Sequence, residues 1–350
     1  PRVNAEVAEQ RRRTVLRAMR DTGAITRRVF RRAMRQTIWY APFGEPPGPA
    51  TVVQPPPGDE DPLHPYFVDY VRRYLVDAYG EDEVYRGGLR VQTTLDPGLQ
   101  IAAATSVSQT LDGTLPPLEM SLVSIEPGTG FVRSMVGGRD FRASQVNLAL
   151  GGDLGMQPGS SFKPFVLTTA LTLGFGRDAE IEAPSVVTFP GCPDGCEVAN
   201  ADFADRGVID LRQATVKSVN TSYALLADRI GTTPVARLAH RMGVSAIKPR
   251  RQYGVSLALG AYEVSPLDMA AGYSVLANRG VRQDVTPVRR VLDEEGRVIE
   301  DNTNRSGVRV VDRAVADTVT DVLTGVVKGG TGKAAAIDRP VAGKTGTAED

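Results

Sequence analysis

Apolar positions along this chain recur at two spacings, one near four residues and one of two. Phe67, Val71, Leu75 and Tyr79 fall four apart, which predicts an amphipathic helix over 64–79. Residues 89–95 alternate instead, as a half-buried strand does. Asp96-Pro97 then supplies a cap and a first-turn proline for another helix. Residues 122–125 and 131–136 predict two strands joined by a turn at Pro127-Gly128-Thr129-Gly130, with Gly137-Gly138 closing the second. After Gly159 a run that stays apolar through Leu167, Ala170 and Leu171 predicts a helix buried in the centre of a domain. Helices are also predicted over 214–230, with Ser218 near the start, over 266–277 and over 311–327, and a strand over 341–345. From about residue 119 onward this is an α+β pattern, a central sheet with helices.

The opening stretch differs. Residues 5–36 read as two helices with Gly23 between them, and 42–57, with Pro46-Pro47 and Pro55-Pro56-Pro57, reads as an extended linker. Arg27, Arg28, Arg31, Arg32 and Arg35 fall on the second helix as a solvated face, with contact to anionic lipid or a lipid-linked pyrophosphate as the alternative. Across all 350 residues, Lys+Arg 41 balances Asp+Glu 41, so the overall charge points to no nucleic acid or other polyanion. No run approaches the roughly 18 to 20 apolar residues of a membrane-spanning helix, and no signal peptide is visible at the start. The only cysteines, Cys192 and Cys196, flank Pro193-Asp194-Gly195 and are read as a small-loop disulfide rather than free thiols, which implies an oxidising exterior. His64 and His240 lie far off in sequence, so no metal site and no cofactor are expected.

Three short motifs carry the chemistry: Ser160-Ser161-Phe162-Lys163, Ser218-Val219-Asn220 and Lys344-Thr345-Gly346-Thr347. A serine hydroxyl needs a neighbouring base to act as a nucleophile at neutral pH. Lys163, about one helical turn after Ser160, serves only if burial or a second cation such as Lys344 holds it deprotonated. Ser218 can relay a proton, and Asn220 can hydrogen-bond a peptide substrate. Lys344-Thr345-Gly346-Thr347 on an edge strand suits an extended substrate, with Gly346 allowing close approach and Lys344, Thr345 and Thr347 suiting a carboxylate. Backbone N–H groups of Ser160 and Thr347 are the expected oxyanion donors. Each motif alone has a bland reading: a helix cap with a solvated lysine, polar positions on a helix, a strand ending in a turn. All three in this order, preceded by Pro158-Gly159 and Gly343, form the signature of serine acyl-transferases that react with penicillin.

The resemblance extends beyond the motifs. Residues 157–165, 87–96, 256–260, 264–267 and 277–280 resemble segments of bifunctional class A penicillin-binding proteins, and 11–19 with 23–26 resembles the last helices of that family's glycosyltransferase domain. The composition resembles that of actinobacterial proteins. The resemblance implies a penicillin-binding transpeptidase / serine β-lactamase-like α+β fold, a central antiparallel sheet flanked by helices with an all-α subdomain. It implies four parts: 1–41 from a truncated glycosyltransferase domain, a Pro-rich linker 42–62, an interdomain pedestal 63–118, and a transpeptidase domain 119–350 lacking its last elements. The chain is thus expected to be an internal, soluble fragment of a protein anchored upstream in the cell membrane, on its extracytoplasmic face. The implied activity is D,D-transpeptidation of peptidoglycan stem peptides ending in D-Ala-D-Ala, with Ser160, Lys163, Ser218 and Lys344 catalytic and β-lactams as inhibitors. A serine β-lactamase and a non-catalytic β-lactam receptor are the alternatives.

Overall fold

In the computed structural model, which describes residues 5–40, 45–46, 48–53, 64–152, 154–190 and 196–348, contacts fall into two units, Pro1–Pro65 and Tyr66–Asp350. The first unit holds α1 (Ala5–Asp21), α2 (Arg27–Met34) and two short strands, β1 (Thr37–Tyr40) and β2 (Ala50–Val53). Thr26 caps α2 by accepting from the Val29 N–H. Arg12 of α1 donates to the Ala33 carbonyl at 3.0 Å and to the Glu9 carboxylate, which also accepts from the Ile38 N–H at 3.1 Å. The Arg12 bond leads the forces that hold the Glu9 pKa down at about 2. β2 lies inside the proline-rich stretch expected to be an unpaired linker, and it pairs in parallel with β1. Residues 41–44, 47 and 54–63 lie outside the described residues.

The second unit opens with α3 (Pro65–Tyr79), α4 (Glu81–Arg86), β3 (Arg90–Thr93), α5 (Pro97–Leu111), β4 (Leu122–Glu126) and β5 (Phe131–Val136). Asp96 caps α5 as its sequence predicts, accepting from Gly98 N and Leu99 N, both at 3.0 Å. β4 and β5 form the expected antiparallel hairpin, and Val132 and Met135 of β5 pack on Phe67, Val71 and Leu75 of α3. A second layer follows: α6 (Lys163–Thr172), β6 (Glu180–Glu182), β7 (Val186–Phe189), β8 (Cys196–Ala199), β9 (Val208–Asp210), α7 (Leu211–Val216), α8 (Asn220–Ile230) and α9 (Thr232–Arg241). The chain then runs through α10 (Pro266–Ala277), β10 (Val281–Arg282), β11 (Val288–Leu292), β12 (Val298–Asp301), β13 (Val308–Arg309) and α11 (Arg313–Gly329). β3 returns in sequence space to pair with β11 in a three-stranded sheet ordered β12-β11-β3, while β6 pairs with β9 and β7 with β8. The architecture is α+β, as the sequence pattern predicts.

α6 sits at the centre. Every residue from Lys163 to Ala170 is buried, and its apolar side chains join the main core with Tyr223 and Leu226 of α8 and Val319, Val322 and Leu323 of α11. Burying each large apolar side chain contributes roughly 1.5 to 3 kcal/mol, so the helix that follows Ser160 is anchored from all sides. No helix among the described residues is long and apolar enough to cross a membrane. Two predicted elements differ. The helix expected over 214–230 is broken into α7 and α8, and no regular strand forms over 341–345.

Candidate active site

The nucleophile turn is built by glycine and by helix geometry. Gly159–Phe162 form a 3-10 turn running into α6, closed where the Lys163 N–H donates to the Ser160 carbonyl. A 3-10 turn eclipses the side chains at i and i+3, so Ser160 and Lys163 project to one side. Gly159 has φ +56, and a Cβ there would overlap the Thr347 carbonyl and come within 3.0 Å of the Thr347 nitrogen. A Cβ on Gly346 would likewise overlap the Pro158 carbonyl. The third motif therefore lies backbone to backbone against the first, and the Thr347 N–H is beside the residue that precedes Ser160. The Ser161 carbonyl accepts from the Tyr273 hydroxyl at 2.8 Å, which pins the turn to α10.

Lys163 is wholly buried, with its nitrogen 5.4 Å from the centroid of the Tyr223 ring. It donates to the Ser218 carbonyl at 2.8 Å, the Asn220 Oδ1 at 2.7 Å and the Ser218 Oγ at 3.3 Å. Lys344 Nζ reaches the same Ser218 Oγ at 2.7 Å and donates to the Thr345 carbonyl at 2.9 Å. Side chains 55 and 126 residues apart in sequence thus meet at one hydroxyl. Burial pushes the Lys163 pKa well below the usual lysine range, and the Lys344 charge adds to this. Burial alone brings Lys344 down to about 8.

The break between α7 and α8 is what lets Ser218 and Asn220 share a lysine. In an unbroken helix, residues two apart point about 200° away from each other. Ser218 instead takes φ +57, its N–H bonded to the Thr215 carbonyl at 3.1 Å, and α8 restarts at Asn220. Asn220 spends its Oδ1 on Lys163 and one Nδ2 hydrogen on the Ala199 carbonyl at 3.0 Å, so a single amide hydrogen is left for a substrate. Thr345, Gly346 and Thr347 are exposed, and the Thr345 hydroxyl is hydrogen-bonded to that of Thr331 at 2.6 Å. Sequence reasoning did not single out Tyr223, Tyr273, Thr331 or Asn200. None stands in a short motif, and only Asn200, a buried polar residue at a strand end, carries even a local signal. Of the bridge expected between Cys192 and Cys196, Cys196 opens β8, while Cys192 lies outside the described residues.

Residues 120–350 match the penicillin binding protein transpeptidase domain. The chain belongs to that family. Penicillin-binding protein 1A of Aquifex aeolicus (strain VF5) is 28% identical over 435 residues, covering 100% of this chain and 57% of the relative. Penicillin-binding protein 1A of Mycolicibacterium smegmatis is 32% identical over 295 residues, covering 80% of this chain and 36% of the relative. The penicillin-binding protein PonA1 of Mycobacterium tuberculosis matches with TM-score 0.67 and 30% identity, over 75% of this chain and 70% of that one. PonA1 has also been solved in complex with penicillin V. The chain spans 57% of the first of these curated relatives and 36% of the second. The α+β transpeptidase fold expected from the motifs is the fold of these structures.

Proposed function

We propose that this chain is the serine D,D-transpeptidase portion of a bifunctional cell-wall synthase and a target of β-lactams. The observation that carries the reading is the meeting of Lys163 and Lys344 at the Ser218 hydroxyl, on the side of the turn that presents Ser160. A neutral Lys163 has two hydrogens, which the Ser218 carbonyl and Asn220 Oδ1 take, and one lone pair, on the side of the Ser218 Oγ, with which to accept a proton. Ser160 attacks the carbonyl between the last two D-alanines of a stem peptide, and its proton passes to Lys163. The N–H groups of Ser160 and Thr347 hold the oxyanion, and the Lys344 ammonium with Thr345 and Thr347 holds the terminal carboxylate. Collapse of the intermediate breaks the C–N bond, and the D-alanine amine leaves with a proton delivered through Ser218. An amine from a second stem then attacks the acyl-enzyme, forming the cross-link and returning the Ser160 hydroxyl.

In the same reading, the Arg-rich helices belong to a glycosyltransferase domain, and the parent protein is held at the outer face of the cell membrane. Among the described residues, the hydrogen bonds of Lys163, Ser218 and Lys344 run to hydroxyl, amide and carbonyl oxygens and not to a carboxylate. That favours a transpeptidase over a β-lactamase. Intact mass after exposure to penicillin tests both points. One covalent adduct forms, persists after excess drug is removed, and is absent from Ser160→Ala. An adduct on Ser160→Ala, or one lost as fast as it forms, overturns the reading.

A further inference from the structure

Helix α8 starts without an ordinary cap. Its N-cap residue is Val219, which has no side-chain oxygen, and no side-chain cap bond forms there. The missing acceptor comes from elsewhere in the chain. Asn200, just past the end of β8 and only 3% exposed, accepts through Oδ1 from the Asn220 N–H at 3.0 Å, the Thr221 N–H at 3.2 Å and the Thr221 hydroxyl at 3.2 Å. Its Nδ2 donates to the Pro184 carbonyl at 2.9 Å and the Ala204 carbonyl at 3.0 Å. The preceding residue takes part as well, because the Ala199 carbonyl accepts from the Asn220 side-chain amide at 3.0 Å. One strand end therefore holds both the backbone and the side chain of Asn220. With Nδ2 of Asn220 committed to Ala199, only Oδ1 faces Lys163, at 2.7 Å.

We propose that Asn200 is a positioning residue of this active site: by capping α8 from a distant hairpin it aims Asn220, and through Asn220 it orients the Lys163 amine toward Ser160. The proposal rests on the reading of Ser160 and Lys163 given above. The chemistry explains the residue type. The position needs an acceptor for two backbone N–H groups and a donor for two carbonyls, which alanine, serine and aspartate cannot all supply. Aspartate would keep the cap, since a carboxylate is favoured at a helix N-terminus. It would also place an anion two hydrogen bonds from Lys163, favouring the protonated lysine that cannot act as a base. Lys163 and Lys344 are the charged groups that meet at Ser218, and Asn200 adds no charge to them.

The test measures acylation rate constants for a fluorescent penicillin across pH on the full chain and its variants. Asn200→Ala slows acylation at neutral pH by about 10- to 100-fold, the range expected when a reacting group is misplaced by about 1 Å. Asn200→Asp acylates with its acid limb displaced to higher pH. The comparator is Asn302→Ala, which removes another buried amide, bonded to the Val288 carbonyl at 3.0 Å in a different cluster. It lowers the melting temperature while acylation and its pH profile stay as in the wild type. A folded Asn200→Ala that acylates normally overturns the proposal, as does an equal slowing in Asn302→Ala. So does a profile for Asn200→Asp that superimposes on the wild type, which decides the matter if Asn200→Ala does not fold. Labelling of Ser160→Ala overturns the underlying reading as well. Unlabelled Ser160→Ala with a normal Asn200→Asp overturns this proposal alone.

Discussion

Lys344→Met removes one of the two cations at Ser218 while keeping most of the side chain's volume. Both ammonium nitrogens bond one hydroxyl, at 3.3 and 2.7 Å, so they lie no more than about 6 Å apart. Like charges at that separation repel by about 3 kcal/mol in a medium of effective dielectric about 20, which disfavours the protonated form of Lys163. Burial is the larger cause of the low Lys163 pKa and remains in the variant; the share due to Lys344 is lost. The sign follows directly. In the proposed mechanism acylation needs neutral Lys163, so a raised pKa moves the acid limb of the rate profile to higher pH. The alkaline limb, set in the wild type where Lys344 gives up its proton at about 8, disappears. The assay is the acylation rate constant for a fluorescent penicillin from about pH 5 to about pH 10, compared by midpoints. Amplitudes are set aside because Lys344 is also proposed to hold the substrate carboxylate. An acid limb whose midpoint does not move refutes the idea that the two lysines are coupled across Ser218.

Gly159→Ala places a methyl group on the Thr347 carbonyl and an L-residue at φ +56. It is expected to lower stability by at least about 1 to 2 kcal/mol and to slow acylation about tenfold or more. A melting curve and acylation rate like the wild type's would show that the first and third motifs do not touch. For the cysteines, alkylation before reduction is expected to leave Cys192 and Cys196 unmodified and alkylation after reduction to label both. Mass shifts in the unreduced sample rule the bridge out.

What could be read from the sequence was whatever is fixed locally. The four-residue stripe from Phe67 to Tyr79, the Asp96 cap with Pro97, and the run from Pro266 to Ala277 all appear as predicted because each is specified within one or two turns. The three motifs were legible because their residue types are reactive. The break at Ser218 was not, because Ala214, Val216 and Lys217 on one side and Ala224 to Leu226 on the other are compatible with one helix. A left-handed Ser218, with its N–H on the Thr215 carbonyl and the Val219 N–H on the Ala214 carbonyl, ends α7, and bonds to Asn200 and Lys163, from 20 and 55 residues away, hold the restart. The strand expected over 341–345 did not appear for a related reason. Strand pairing is a property of a neighbour, and this segment is held instead by Gly346 against Pro158 and by Lys344 on Ser218.

The left-handed backbone of Ser218 sets two selective pressures against each other. At φ +57 a glycine would relieve about 1 kcal/mol of crowding, so thermal robustness alone favours losing the side chain. That same side chain is the oxygen on which both amines converge. A library sorted for heat tolerance would drift toward glycine at this codon and fall silent, whereas one sorted for turnover would keep the strained serine and tolerate a lower melting point.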